Sequence, residues 1–184
     1  MSEGQQTIWK SPLQCLYSYI LRICSVSPWD GNQPYHNLPY YQGKAGAVYN
    51  SDQAFEDRYP DLLVIELGAN DFSSEVNANE PWPTTEAFRQ AWVDAYIDFI
   101  GQLRQRYNDV PIVIMTQYIW PHDRLNLSVQ QVQQQLDNMG ADPVYVTEMR
   151  AEMRGCMWHP VADEHTAIAE SLASFISTKQ LLGK

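Results

Sequence analysis

Two short runs of this 184-residue chain combine residue types that could do chemistry. The first, Gly68-Ala69-Asn70-Asp71, follows directly on Leu62 to Leu67, an almost wholly apolar run of the kind buried on both faces of a parallel sheet. In open α/β sheets ligands bind just beyond the carboxyl ends of such strands, so Gly68, Asn70 and Asp71 would stand where a ligand is met. The plainer explanation is a turn in which Gly and Asn serve backbone conformation alone. The second run is Gly155-Cys156-Met157-Trp158-His159-Pro160, with His165 a short way on. A thiolate and two imidazoles at Cys156, His159 and His165 could fill three positions of a zinc site. A fourth ligand is not apparent, so no metal is expected. Asn126-Leu127-Ser128 has the form of a glycosylation acceptor, which is informative only in an exported chain.

Strands and helices must alternate to position these runs. Ser11-Pro12 is a good N-cap and first-turn pair, and Leu13, Leu16, Tyr17, Ile20 and Leu21 give the stretch up to Ile23 a helical stripe. Residues 28–49, rich in Pro, Gly, Asn and Tyr, read as a long loop region of the kind that serves a site, and residues 52–59 add a helical turn. A polar loop from Ser73 to Pro83 follows the strand at Leu62 to Leu67. The clearest helix opens at Thr85, with Phe88, Trp92, Tyr96, Phe99, Ile100, Leu103 and Tyr107 three or four residues apart. Pro111 to Thr116 is the next strand, and the loop leaving it carries Tyr118, Trp120, Pro121 and His122. An exposed, Gln-rich helix is expected over Ser128 to Met139, stopped by Gly140. A short strand over Pro143 to Thr147, an approach loop to Trp158 and a closing helix over Val161 to Lys179 complete the order. In that helix Ala162, His165, Ile168, Ala169, Leu172, Phe175 and Ile176 recur at helical spacing, with His165 bracing the sheet side. Such alternation predicts a doubly wound parallel sheet rather than a sandwich.

Composition narrows the partners. With 45% hydrophobic residues the chain can bury one sizeable core, so residues 1–184 are expected to form a single domain. A formal net charge of -10 argues against a nucleic-acid surface, which needs clustered Lys and Arg, and fits a neutral substrate. No apolar run approaches the roughly 18 to 20 residues of a membrane span, so no membrane partner is expected. The stretch from Met1 to Thr7 lacks the basic and apolar regions of a secretory leader, and no export signal is expected. Cys15, Cys24 and Cys156 are an odd number without paired spacing, so no disulfide framework follows and the compartment stays open.

The Gly-x-Asn-Asp turn after a buried strand, and the His159-Pro160 loop before a closing helix, resemble the third and last signature blocks of the SGNH (GDSL-type) esterases. That resemblance covers roughly residues 40–176. It implies a three-layer, flavodoxin-like parallel sheet and acyl transfer without a cofactor. In the family a Ser of a Gly-Asp-Ser block attacks the ester carbonyl and the His of the last block accepts its proton. Oxyanion donors are the nucleophile's own N–H, a Gly N–H of the second block and the Asn side chain of the third. His159 matches the base and Asn70 the Asn, with Gly43 and Gly46 as candidates for the second-block Gly. His36 and His122 are not the choice of base.

Two departures refine the comparison. Where most SGNH enzymes carry the triad Asp, three residues before the His, this chain has Cys156. Gly155-Cys-x-Trp158-His-Pro is similar instead to the second family of carbohydrate esterases, deacetylases in which a backbone carbonyl holds the imidazole of a Ser-His dyad. That family would imply an acylated small molecule or carbohydrate as substrate. The second departure is that Gly-Asp-Ser occurs nowhere in the chain, and the family's first strand has no counterpart before Pro12. Ser11 falls near the nucleophile's place, but its neighbours are not the family's and a helix cap explains it better. Three readings stay open: an esterase cut short at its N-terminus, one with its Ser elsewhere, or a non-catalytic carbohydrate-binding or interaction domain.

Overall fold

The computed structural model describes residues 60–73, 75, 76, 80, 82–118 and 121–182. Their apolar runs form three parallel strands, β1 (Leu63–Ile65), β2 (Ile112–Gln117) and β3 (Val144–Met149), in the order β1-β2-β3. Leu63 pairs with Ile112 and Ile65 with Ile114, while on the other side Ile112 pairs with Val144 and Gln117 with Met149. Because the strands are parallel, all three carboxyl ends lie along one edge. Alternate residues feed opposite faces, so Ile65, Ile112 and Ile114 enter one apolar cluster and Leu62, Val64, Val113 and Met115 the other.

Helix α1 (Ala69–Phe72) is a single turn after β1, and α2 (Thr85–Tyr107) follows the intervening loop. The Thr84 hydroxyl caps α2 by accepting the Ala87 N–H at 3.1 Å. The stripe from Phe88 to Tyr107 is buried as its spacing requires, and Phe72, Phe88, Trp92 and Tyr96 form a run of edge-on and tilted ring contacts. Val93, Tyr96 and Ile100 are wholly inaccessible, each aliphatic one contributing about 1.5–3 kcal/mol by burial.

Helix α3 (Arg124–Asn138) packs with α2 on the same face of the sheet. It begins a turn earlier than the Ser128 start expected and is not an exposed helix. Leu125, Val129, Val132 and Leu136 form a buried stripe that the intervening glutamines obscure, and the Ser128 hydroxyl bonds back to the Arg124 carbonyl at 2.7 Å. The Asn126 amide is likewise engaged, donating to Glu148 at 3.3 Å.

Helix α4 (Ala162–Thr178) covers the opposite face through Ile168, with Leu172, Phe175 and Ile176 half-buried beside it. His165 does not brace the sheet: it is exposed, as are Ala162 and Ala169. The inward row runs from buried Glu164 and Ile168 to half-buried Leu172, one residue round from the row through His165, because the helix turns 3.6 residues per cycle and Glu164 is tied inward. Helices on both faces of a parallel sheet give the three-layer arrangement expected. Among the described residues no helix is long and apolar enough to cross a membrane.

Candidate active site

Two of the three carboxyl ends carry the residues singled out from sequence. At β1, Gly68 holds a left-handed φ of +109°, and a Cβ there would meet Leu125 Cδ1 at 2.6 Å and Trp92 Cζ2 at 2.7 Å. Both conformation and space demand glycine. The Gly68 carbonyl accepts the Phe72 N–H at 3.0 Å, closing α1, and the buried Asp71 carboxylate accepts the Trp92 indole N–H at 3.3 Å. Asp71 thus ties the turn to α2. Asn70 is carried on α1, and the structure describes its backbone. Ser11, His36, Gly43, Gly46 and Trp120 lie outside the described residues.

Just before Gly68, burial pushes the Glu66 carboxyl up to about 7. A carboxyl whose pKa is raised by folding binds more protons folded than unfolded, so stability falls as the pH rises from the ordinary carboxylate range to that value. Glu66→Gln is therefore expected to stabilise the fold above about pH 7, by at most about 3 kcal/mol, and to change little near pH 4. Urea unfolding of both proteins across that range checks this, and an equal effect at both ends would sink it.

At β3 the chain enters a loop that turns back on itself before α4. Residues Cys156–Trp158 form a single 3-10 turn; Met153 before it and Trp158 at its end hold left-handed conformations (φ 58° and 61°). Such non-glycine residues cost on the order of 1–3 kcal/mol each, and strain of this kind collects at functional sites. Trp158 is 86% exposed, an indole left in solvent beside His159. The Cys156 carbonyl accepts the His159 backbone N–H at 3.2 Å and lies 3.0 Å from His159 Nδ1. A carbonyl can only accept, so in the neutral form of the ring this contact assigns the proton to Nδ1 and leaves Nε2 as the acceptor. In return the Gly155 N–H donates to the His159 carbonyl at 2.8 Å.

Acidic and basic side chains surround the loop's base. Glu164 is buried and accepts the Val161 N–H at 2.8 Å and the Arg154 N–H at 3.1 Å. Arg154 bonds to Asp163, and its Nε lies 3.4 Å from the other Glu164 oxygen. The Val161 N–H first, then that of Arg154, outweigh desolvation and hold the Glu164 carboxyl below its ordinary range. Glu164 was not singled out from sequence. The available signal was an acidic residue three places into a helix, the half of a capping box that a Val at the N-cap leaves standing. Among the described residues no group of three or more His, Cys, Asp or Glu is gathered for a metal.

A strand spacing of about 4.8 Å separates β1 and β3 by roughly 10 Å across β2, so the Asn70 turn and the His159 loop flank the same edge. A parallel sheet covered on both faces, with these two loops at its carboxyl edge, defines an α/β fold of the SGNH hydrolase type. No protein-family model matches the chain. An acetylxylan esterase/glucomannan deacetylase of Cellvibrio japonicus (strain Ueda107) is 30% identical over 162 residues, which are 84% of this chain and 43% of that protein. A solved carbohydrate esterase, whose active site displays divergent catalytic and non-catalytic binding functions, matches with a TM-score of 0.66 at 29% identity over 71% of this chain and 40% of its own. A family two carbohydrate esterase from Clostridium thermocellum, in complex with cellohexaose, matches with a TM-score of 0.56 at 26% identity over 79% and 42%. The chain is a relative of the second carbohydrate esterase family, and it spans about two fifths of the length of these relatives.

Proposed function

We propose that this chain hydrolyses acetyl or other short acyl esters, on carbohydrate, by Ser-His acyl transfer. The observation that carries the reading is the His159 ring, whose Nδ1 lies 3.0 Å from the Cys156 carbonyl, a contact that in the neutral ring leaves Nε2 as the proton acceptor. An attacking hydroxyl gives its proton to Nε2 as it bonds to the acyl carbon, and the imidazolium then returns that proton to the leaving sugar oxygen. Asn70 serves as an oxyanion donor, with a backbone N–H of Gly43 or Gly46 as a second; one such donor contributes about 2.7–4 kcal/mol in the transition state. Trp158 supplies an exposed indole on which a sugar ring can stack. The deacetylase named among the relatives supports acetylated xylan or glucomannan as the first substrates to try.

A second reading is a module that binds acylated carbohydrate without turnover. It is favoured by the lack of a Gly-Asp-Ser sequence, and by the relative whose active site displays both catalytic and non-catalytic binding functions. Fluorophosphonate labelling separates the two, because only an activated Ser reacts. One labelled Ser, located by peptide mapping, is expected together with release of acetate from acetylated xylan. Absence of label, with retained binding to the acetylated glycan, would replace the enzyme by the binding module.

A further inference from the structure

We infer that Glu164 is the positioning residue of the His159 loop, its one carboxylate oxygen closing the loop from both ends. The loop enters at Arg154 and leaves at Val161, and the N–H groups of these two residues converge on Glu164 Oε2 at 3.1 and 2.8 Å. Between them, Gly155 and His159 are joined backbone to backbone at 2.8 Å, and the Cys156 carbonyl holds the ring. The loop is therefore a small closed frame with His159 at its outer side and Glu164 as its base.

A helix-capping role accounts for only part of this geometry. A Glu at the third helical position ordinarily reaches back to the N-cap N–H, which is the Val161 bond. The Arg154 bond comes from ten residues earlier, on the strand side of the loop, and contributes nothing to starting α4. Burial tells the same way: Glu164 is 7% exposed, while Asp163 and His165 beside it stand in solvent. Two convergent N–H donors also keep the carboxylate ionised through neutral pH, so the frame is closed wherever an imidazole base can work. Opening it would free the loop to drift, and misplacing a catalytic group by about 1 Å can cost on the order of a hundredfold in rate.

This inference rests on His159 being the general base, but it is read on His159 itself. Two conservative variants separate reach from charge. Glu164→Asp keeps the charge and is one methylene too short to meet both N–H groups. Glu164→Gln keeps an oxygen at the same reach and loses the charge. Glu164→Asp is expected to lower kcat on p-nitrophenyl acetate about tenfold to a hundredfold with KM within about twofold, and to shift the imidazole nitrogen resonances of His159. Glu164→Gln is expected to leave those resonances in place and to retain kcat within about threefold, the acceptor being restored. Unmoved resonances in Glu164→Asp, or a loss in Glu164→Gln as large as that in Glu164→Asp, would overturn the assignment. If neither wild type nor variants hydrolyse the ester, the base role of His159 fails while the resonances still decide whether Glu164 positions it.

Discussion

His159→Ala is expected to lower kcat on p-nitrophenyl acetate by at least about a thousandfold while leaving KM nearly unchanged, because the proposed base would act on the proton in flight rather than on bound substrate. The fold should survive. His159 is exposed, and apart from its ring contact it contributes a backbone N–H to the Cys156 carbonyl and a carbonyl to Gly155, both of which alanine keeps. Equal rates for the two proteins would remove His159 from the mechanism. A uniform rise in KM with kcat intact would make it a binding residue instead.

Gly155→Ala is expected to cost about a hundredfold in kcat, for a steric reason confined to the loop. The Gly155 backbone, at φ -80°, suits any residue, so conformation does not demand glycine here. Space does: an added Cβ would lie 2.6 Å from the His159 carbonyl oxygen and 3.4 Å from both the His159 carbonyl carbon and Val161 Cγ1. The nearest obstacle is the backbone of His159 itself, which cannot rotate aside as a side-chain tip can. Relief must push His159 outward and lengthen the 2.8 Å bond from the Gly155 N–H. Stability should fall by only about 1–3 kcal/mol, the usual cost of overpacking. Steady-state kinetics beside thermal melting distinguishes the effects, and a stability loss with kcat intact would show that the loop absorbs the methyl without moving the ring.

The layered α/β sheet was legible because its evidence is periodic. The row from Phe88 to Tyr107 can only be one face of a helix, and Leu62 to Leu67 and Ile112 to Thr116 are too short and apolar to be anything but covered strands. Helix α3 was legible in kind but not in extent: four apolar residues among glutamines carry a weak signal until the partner face on α2 is known. His165 misled because one residue of phase decides which side of a helix is buried, and the hydrogen bonds of Glu164 set that phase. Asn70 and His159 stood out because their neighbours, a left-handed Gly68 and a loop-closing Pro160, are residues a chain needs at strand ends and loops. The frame around His159 was not legible, since backbone atoms make most of it and these have no letter in a sequence.

A frame built from main-chain atoms shapes how this loop can evolve. An imidazole steadied by a side-chain carboxylate is set loose by any substitution of that carboxylate, whereas the oxygen that steadies His159 belongs to the main chain at Cys156 and survives whatever residue stands there. The thiol at that position is thus free to drift, and mutational fragility is transferred to neighbours that hold the loop together: Gly155, which must stay small, and Glu164, which must stay long enough to reach two N–H groups.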